Sequence, residues 1–329
     1  MQNQGTLVEL GKARVKLLET FAMPSMEVQR KKNWLWIIRT DPVLVDSVKT
    51  ALLQAVQQTV LREHIVVLAT PNNPDTIRKT DSDSVLWHGD QALWDAYQQQ
   101  AQQKAVMETR LDVDEGLPLD FIEILQRQAP SRLPEPTDWA VWCIMRQSEW
   151  HVSNESRRDL TYGSFHTVRD TACMKSGLTF AYGTTTSNKD LPVPRASAHQ
   201  HLYKSVPLCH PTLRHCLEVL YQKSPRRRPG ALKARTPAST GVTHLQWPRF
   251  GVDNSNGNDM ALPDGWEDLQ RWFGLNPEQL RDIRTYLIHH AAAVAKDNIQ
   301  SQCRGDNRSC KPEVEYMLRS LARRKNPTQ

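Results

Sequence analysis

With 329 residues, 39% hydrophobic and 24% charged, the chain has ordinary globular composition, which excludes disorder throughout and allows one large or two small cored domains. Its net charge of +6 is mild and gathers in Arg226–Arg228, Lys233, Arg235 and the tail residues Arg319, Arg323, Arg324 and Lys325. Anionic small ligands suit that pattern better than a nucleic-acid face, and no apolar run approaches the roughly 20 residues of a membrane span.

In chain order, residues 6–30 read as helical, with Leu7, Leu10, Val15, Leu17, Leu18 and Phe21 apolar and a break at Pro24-Ser25. Trp34–Ile38 reads as a buried strand ending at Arg39-Thr40-Asp41-Pro42. An amphipathic helix follows over about 44–62, then a second buried strand, His64–Leu68, closing in the turn that opens at Thr70. A Gln-rich helix over about 91–105 delivers the chain to a third strand, Val106–Leu111. Such alternation predicts parallel strands joined by helical crossovers, with ligands beyond the strands' carboxyl ends.

That third strand leads into Asp112-Val113-Asp114-Glu115-Gly116 and a helix from near Leu117. Two carboxylates two residues apart on an extended segment point the same way and repel unless a cation neutralises them. Mg²⁺ and Mn²⁺ suit such hard oxygen ligands, taking their remaining contacts from water and phosphate. The plainer reading is an acidic turn capping the helix. A calcium loop is excluded because Leu117 stands where the sharp turn requires glycine. Asp41, Thr70, Asp112 and Asp114 all fall at predicted strand ends.

Beyond Pro130 the pattern changes. Asp138–Ile144 and Glu149–Val152 read as two strands joined by a short turn, with further strands near 164–168 and 174–182. Residues 209–222 read as helical and 223–263 as a long loop or insertion. Asn276-Pro277 starts a helix reaching about Asn298, and a last helix covers 312–324. The division expected is an α/β half over 1–128, a half with mixed strands over 129–222, a flexible insertion over 223–263 and a helical extension over 264–329. None of the six cysteines forms a CxxC pair, and the spacing of Cys303 and Cys310 would suit a disulfide in an oxidising compartment.

The runs Leu18-Glu-Thr-Phe-Ala-Met-Pro-Ser-Met-Glu-Val-Gln29, Trp36-Ile-Ile and Thr109-Arg-Leu-Asp-Val-Asp-Glu-Gly-Leu-Pro-Leu-Asp-Phe121 resemble the rhamnosyltransferase family. The likeness spans roughly residues 15–205, with a looser match at Cys173–Ala181 and His199/His201. It implies a GT-A-like, Rossmann-type, mostly parallel sheet flanked by helices, and a nucleotide-sugar donor with a glycan or other hydroxyl acceptor. Asp112 and Asp114 would hold Mn²⁺ or Mg²⁺ on the diphosphate, with Arg110, Asp41 and Thr70 beside the donor and His199 or His201 as a later metal contact. Glu115 stands where the family has Asp. The family also places a strand ahead of the 6–30 helix, where this sequence begins, so the expectation is either a missing first strand or a longer natural chain. The setting would be the Golgi lumen or secretory pathway for a chain with an N-terminal anchor, and the cytoplasm otherwise.

Glu149, Asp159 and Asp170 are the candidate bases, with none preferred. The rival to a working transferase is a degenerate relative acting as a binding or scaffold protein. Paired surface histidines are more often incidental than ligating. Trp139, Trp142 and Trp150 read as core, with one as an alternative sugar platform.

Overall fold

The computed structural model describes residues 6–70, 84–152, 163–186, 206–210, 215–220, 230–239 and 266–303. It opens with α1 (Val8–Leu17), a π-helical turn over Leu18–Ala22 and α2 (Met23–Glu27). The break expected at Pro24 does not occur. Proline removes one amide donor and crowds the carbonyl four residues back, and the wider turn just before it absorbs that conflict. The Ser25 hydroxyl donates to the Ala22 carbonyl at 2.8 Å within the junction.

Strand β1 (Trp36–Thr40), helix α3 (Asp46–Gln58) and strand β2 (Ile65–Ala69) form the expected crossover unit, β1 and β2 pairing in parallel. The burial of every β2 residue fits its unbroken apolar run. Strand β3 (Val85–His88) adds antiparallel to β2. Helix α4 (Gln91–Gln103), capped by Asp90, precedes β4 (Val106–Thr109); β5 (Glu115–Gly116) and α5 (Phe121–Arg132) follow.

The protein is therefore α/β, but instead of one mostly parallel sheet its described strands form two small mixed ones. The first runs β1-β2-β3. The second is built on two long strands, β6 (Trp139–His151) and β7 (Ser164–Tyr182), paired antiparallel. The turns expected inside these spans are absent, and register shifts near Ile144 keep each strand continuous. Strand β4 pairs antiparallel with β7.

Residues 209–222, expected helical, instead contain strand β8 (Cys216–Leu220), parallel to the first half of β6. An apolar run this short has no decisive period. The tertiary contacts decide it: Cys209 and Cys216 form a disulfide, and Leu217 exchanges backbone hydrogen bonds with Pro207 and Cys209. Within the span expected to be an insertion, β9 (Ala231–Arg235) lies between β6 and β5. Helices α6 (Trp266–Phe273), α7 (Pro277–His289) and α8 (Ala291–Cys303) follow, α7 capped by Asn276 as its sequence indicates. The expected single helix is interrupted at His290, the C-cap of α7. Cys310 and residues 312–324 lie outside the described residues.

Trp139, Trp142 and Trp150 are all buried, so none is a surface sugar platform in this structure. Trp142 belongs to the core that includes α3, α5, β1 and β2 and donates to Gln128 of α5 at 2.9 Å, whereas Trp150 joins Phe21, Leu232 and α6–α8. Between these two cores the α1–α2 segment meets the acidic stretch. Gln29 is 2% exposed and donates to the Leu117 and Pro118 carbonyls, at 3.3 and 2.9 Å, while accepting from the Ile122 amide. A Cβ on Gly116 would lie 3.2 Å from that of Ser25. The two runs that carry the family likeness thus pack against each other. Gln29→Ala strands buried carbonyl groups and should cost about 1–3 kcal/mol, read as a lower urea midpoint at unchanged m-value.

Candidate functional site

The backbone of the acidic stretch turns at once: the Glu115 amide donates to the Asp112 carbonyl at 3.1 Å. The two carboxylates therefore lie on a turn rather than on the extended segment expected, and both act on the same cations, Arg14 and Lys233. Asp112 is half-buried and lines a cavity of about 110 Å³ with Arg14, Leu18, Val113 and most of β1, Trp36–Arg39. Asp114 and Glu115 are essentially inaccessible, at 0% and 1% exposure.

What makes that burial tolerable is Lys233 on β9. Its ammonium donates to Glu115 Oε1 at 2.9 Å and stands 3.5 Å from Asp114 Oδ2. Burial alone would lower its pKa, but Asp114, Glu115 and Asp112 raise it well above the ordinary value. Burial pushes the Glu115 carboxyl up, and Lys233 opposes that shift. The other oxygen, Oε2, accepts the Asp112 amide at 3.0 Å. Arg14, buried on α1, donates to the Ala238 carbonyl at 3.1 Å and feels the field of Asp114 and Asp112.

One strand pair away lies a second charged group. The Glu149 carboxylate accepts from Gln147 at 2.7 Å, from Arg235 Nε at 2.9 Å and from a second Arg235 nitrogen, with His151 Nε2 at 3.1 Å. Burial would raise its pKa, but hydrogen bonds from His151 and Arg235 and their charges hold it down at about 2. A carboxylate held that low is a weak proton acceptor at neutral pH. The arrangement is that of a structural ion pair.

The other expected residues divide as follows. Asp41 accepts the Val43 amide at 3.0 Å in the turn after β1, and the Thr70 amide donates to the Thr40 carbonyl, so both sit at the ends of the parallel pair. Arg110 is fixed through its backbone to Leu178 and Gly177 and lies over the Phe180 ring. Asp170 falls in β7, where its side chain is not described; Asp159, His199 and His201 lie outside the described residues.

Residues 11–140 match the family model described as "Putative rhamnosyl transferase". Over that segment the resemblance read from the sequence holds. It covers the helix, both strands of the parallel pair, the cavity and the acidic turn, and ends before β9. No curated protein and no solved structure matches the chain. No described helix is long and apolar enough to cross a membrane.

Among the described residues, no group of three or more His, Cys, Asp and Glu side chains is placed to hold a metal. A cation shared with a diphosphate needs only one or two protein carboxylates. Of the two aspartates, Asp112 lines the cavity and Asp114 is buried against Lys233. A larger cavity, about 470 Å³, lies between α2, α3 and α7 and shares no residue with the first. It lies away from the acidic turn, so the smaller cavity is the better candidate.

Sequence reading missed Lys233, Arg14 and the Arg235–His151 pair. The signals were there in faint form: Lys233 and Arg235 alternate with apolar residues along one strand, and Arg14 sits at helical spacing within an apolar stripe. Because the folded pKa of Glu149 is below its unfolded value, its contribution is present above about pH 4.5 and is lost as pH falls toward about 2. Denaturation across pH should show Glu149→Gln destabilised most near neutrality, with the gap to wild type closing below about pH 4.

Proposed function

We propose that the protein is a nucleotide-sugar-dependent glycosyltransferase of GT-A type whose donor site centres on Asp112 and the cavity alongside β1. The observation that supports this reading is the convergence, in the family-matched segment, of a strand of the parallel pair, a cavity running alongside it and an acidic turn. At about 110 Å³ the cavity is smaller than the roughly 300–1,000 Å³ of a whole small-molecule site, so it would accept one portion of the donor.

In the transfer, the sugar's bond to the diphosphate breaks with its electron pair left on the nucleoside diphosphate, the acceptor hydroxyl oxygen bonds to the anomeric carbon, and the hydroxyl proton passes to water. A divalent cation, Mn²⁺ or Mg²⁺, would supply charge stabilisation to the leaving diphosphate. Asp112 is the residue proposed to hold it. Arg14 and Arg39 contribute positive charge to the cavity wall, and Leu18, Trp36, Ile37 and Ile38 its apolar lining. Rhamnose as the transferred sugar follows from the family description alone.

The test is thermal melting with a panel of nucleoside diphosphates, with and without Mn²⁺. One nucleotide should stabilise the wild type only when metal is present, by about 2–3 kcal/mol at a hundredfold excess over Kd. Asp112→Asn should abolish the shift while melting close to the wild type. Unchanged metal-dependent binding in that variant would falsify the assignment. No response to any nucleotide would favour a binding or scaffold protein.

A further inference from the structure

We infer that Lys233 is the positioning residue of the donor site, holding Glu115 so that Asp112 meets the cavity. This rests on the transferase reading above. The chain of contacts is continuous. The Lys233 ammonium holds Glu115 Oε1 at 2.9 Å, and Glu115 Oε2 accepts the Asp112 amide at 3.0 Å. A single buried carboxylate thus links a cation on β9 to the backbone of the residue proposed to touch the metal.

The backbone adds to this grip. Strand β9 pairs with β5 in the register Glu115↔Lys233 and Gly116↔Leu232, and the Ala234 amide donates to the Asp114 carbonyl at 2.7 Å. Lys233 is 6% exposed and occupied by Glu115 and Asp114, so it acts through the turn rather than on the substrate. The acidic run therefore has two roles: Asp112 faces the ligand, and Asp114 with Glu115 is the handle by which β9 holds it. That handle comes from outside the family-matched residues 11–140, so the donor half is completed by a strand about a hundred positions beyond it.

Residues that orient a metal-bound group through one intermediate typically change metal affinity 10- to 100-fold when removed. The experiment uses the full chain and titrates Mn²⁺ alone by calorimetry, then Mn²⁺ with the stabilising nucleotide by melting. Lys233→Met and Glu115→Gln should raise the half-saturating Mn²⁺ concentration about tenfold or more, and Lys233→Arg should recover much of the loss. Lys233→Met also leaves two buried carboxylates uncompensated; should it fail to fold, Glu115→Gln, which keeps the volume of the side chain, decides the question. Wild-type Mn²⁺ dependence in Glu115→Gln overturns the inference and leaves Lys233 a purely stabilising residue. A wild-type chain that binds Mn²⁺ but responds to no nucleotide defeats the transferase reading alone, and the ordering of the variants in Mn²⁺ still decides for or against Lys233.

Discussion

The buried ion cluster joining Lys233 to Asp114 and Glu115 is the interaction on which the acidic turn depends. Two adjacent carboxylates with almost no exposure would repel each other and lose their hydration, at a cost of several kcal/mol each. An ammonium at 2.9 and 3.5 Å offsets that cost only because its strand is held in place. Strand β9 meets this condition by pairing with β5 on one side and with the far half of β6 on the other. The length of β6 matters here: its first half carries β8 and its second half carries β9.

The turn is also held from the opposite direction. Gln29, at the end of the first helical segment, satisfies the Leu117 and Pro118 carbonyls and the Ile122 amide. Its position depends on the π turn that lets the chain pass Pro24 without leaving the helix. The same segment places Arg14 and Leu18 on the cavity wall, and packs Phe21 against Trp150 with ring centroids 5.2 Å apart. The motif residues of the first helix and those of the acidic run are therefore one packed unit.

Charge on the central sheet is arranged in neighbouring sets. Lys233 and Glu149 are register partners across β9 and β6, yet each takes its strongest ion-pair partner elsewhere, Glu115 for the one and Arg235 for the other. Alternation along the strands places Leu232, Ala234 and Trp150 in the core beneath α1 and α6–α8, while Lys233, Arg235 and Glu149 project from the other positions. Glu149 is engaged by Arg235 and His151, and among the described side chains Asp112 is the expected carboxylate that lines the cavity.

Local pattern determined several elements well: the apolar runs of β1 and β2, the amphipathic α3 between them and the Asn276-Pro277 helix start are each legible because their period or capping chemistry is local. The acidic run was also visible as a site. What local pattern could not decide was which way each carboxylate faces, since that follows from one backbone hydrogen bond and from a lysine more than a hundred residues away. For the same reason β8 read as a helix and β9 as part of a loop. Short apolar segments take their state from the strands and disulfide they meet, so only tertiary structure made them strands and gave the acidic turn its counter-charge.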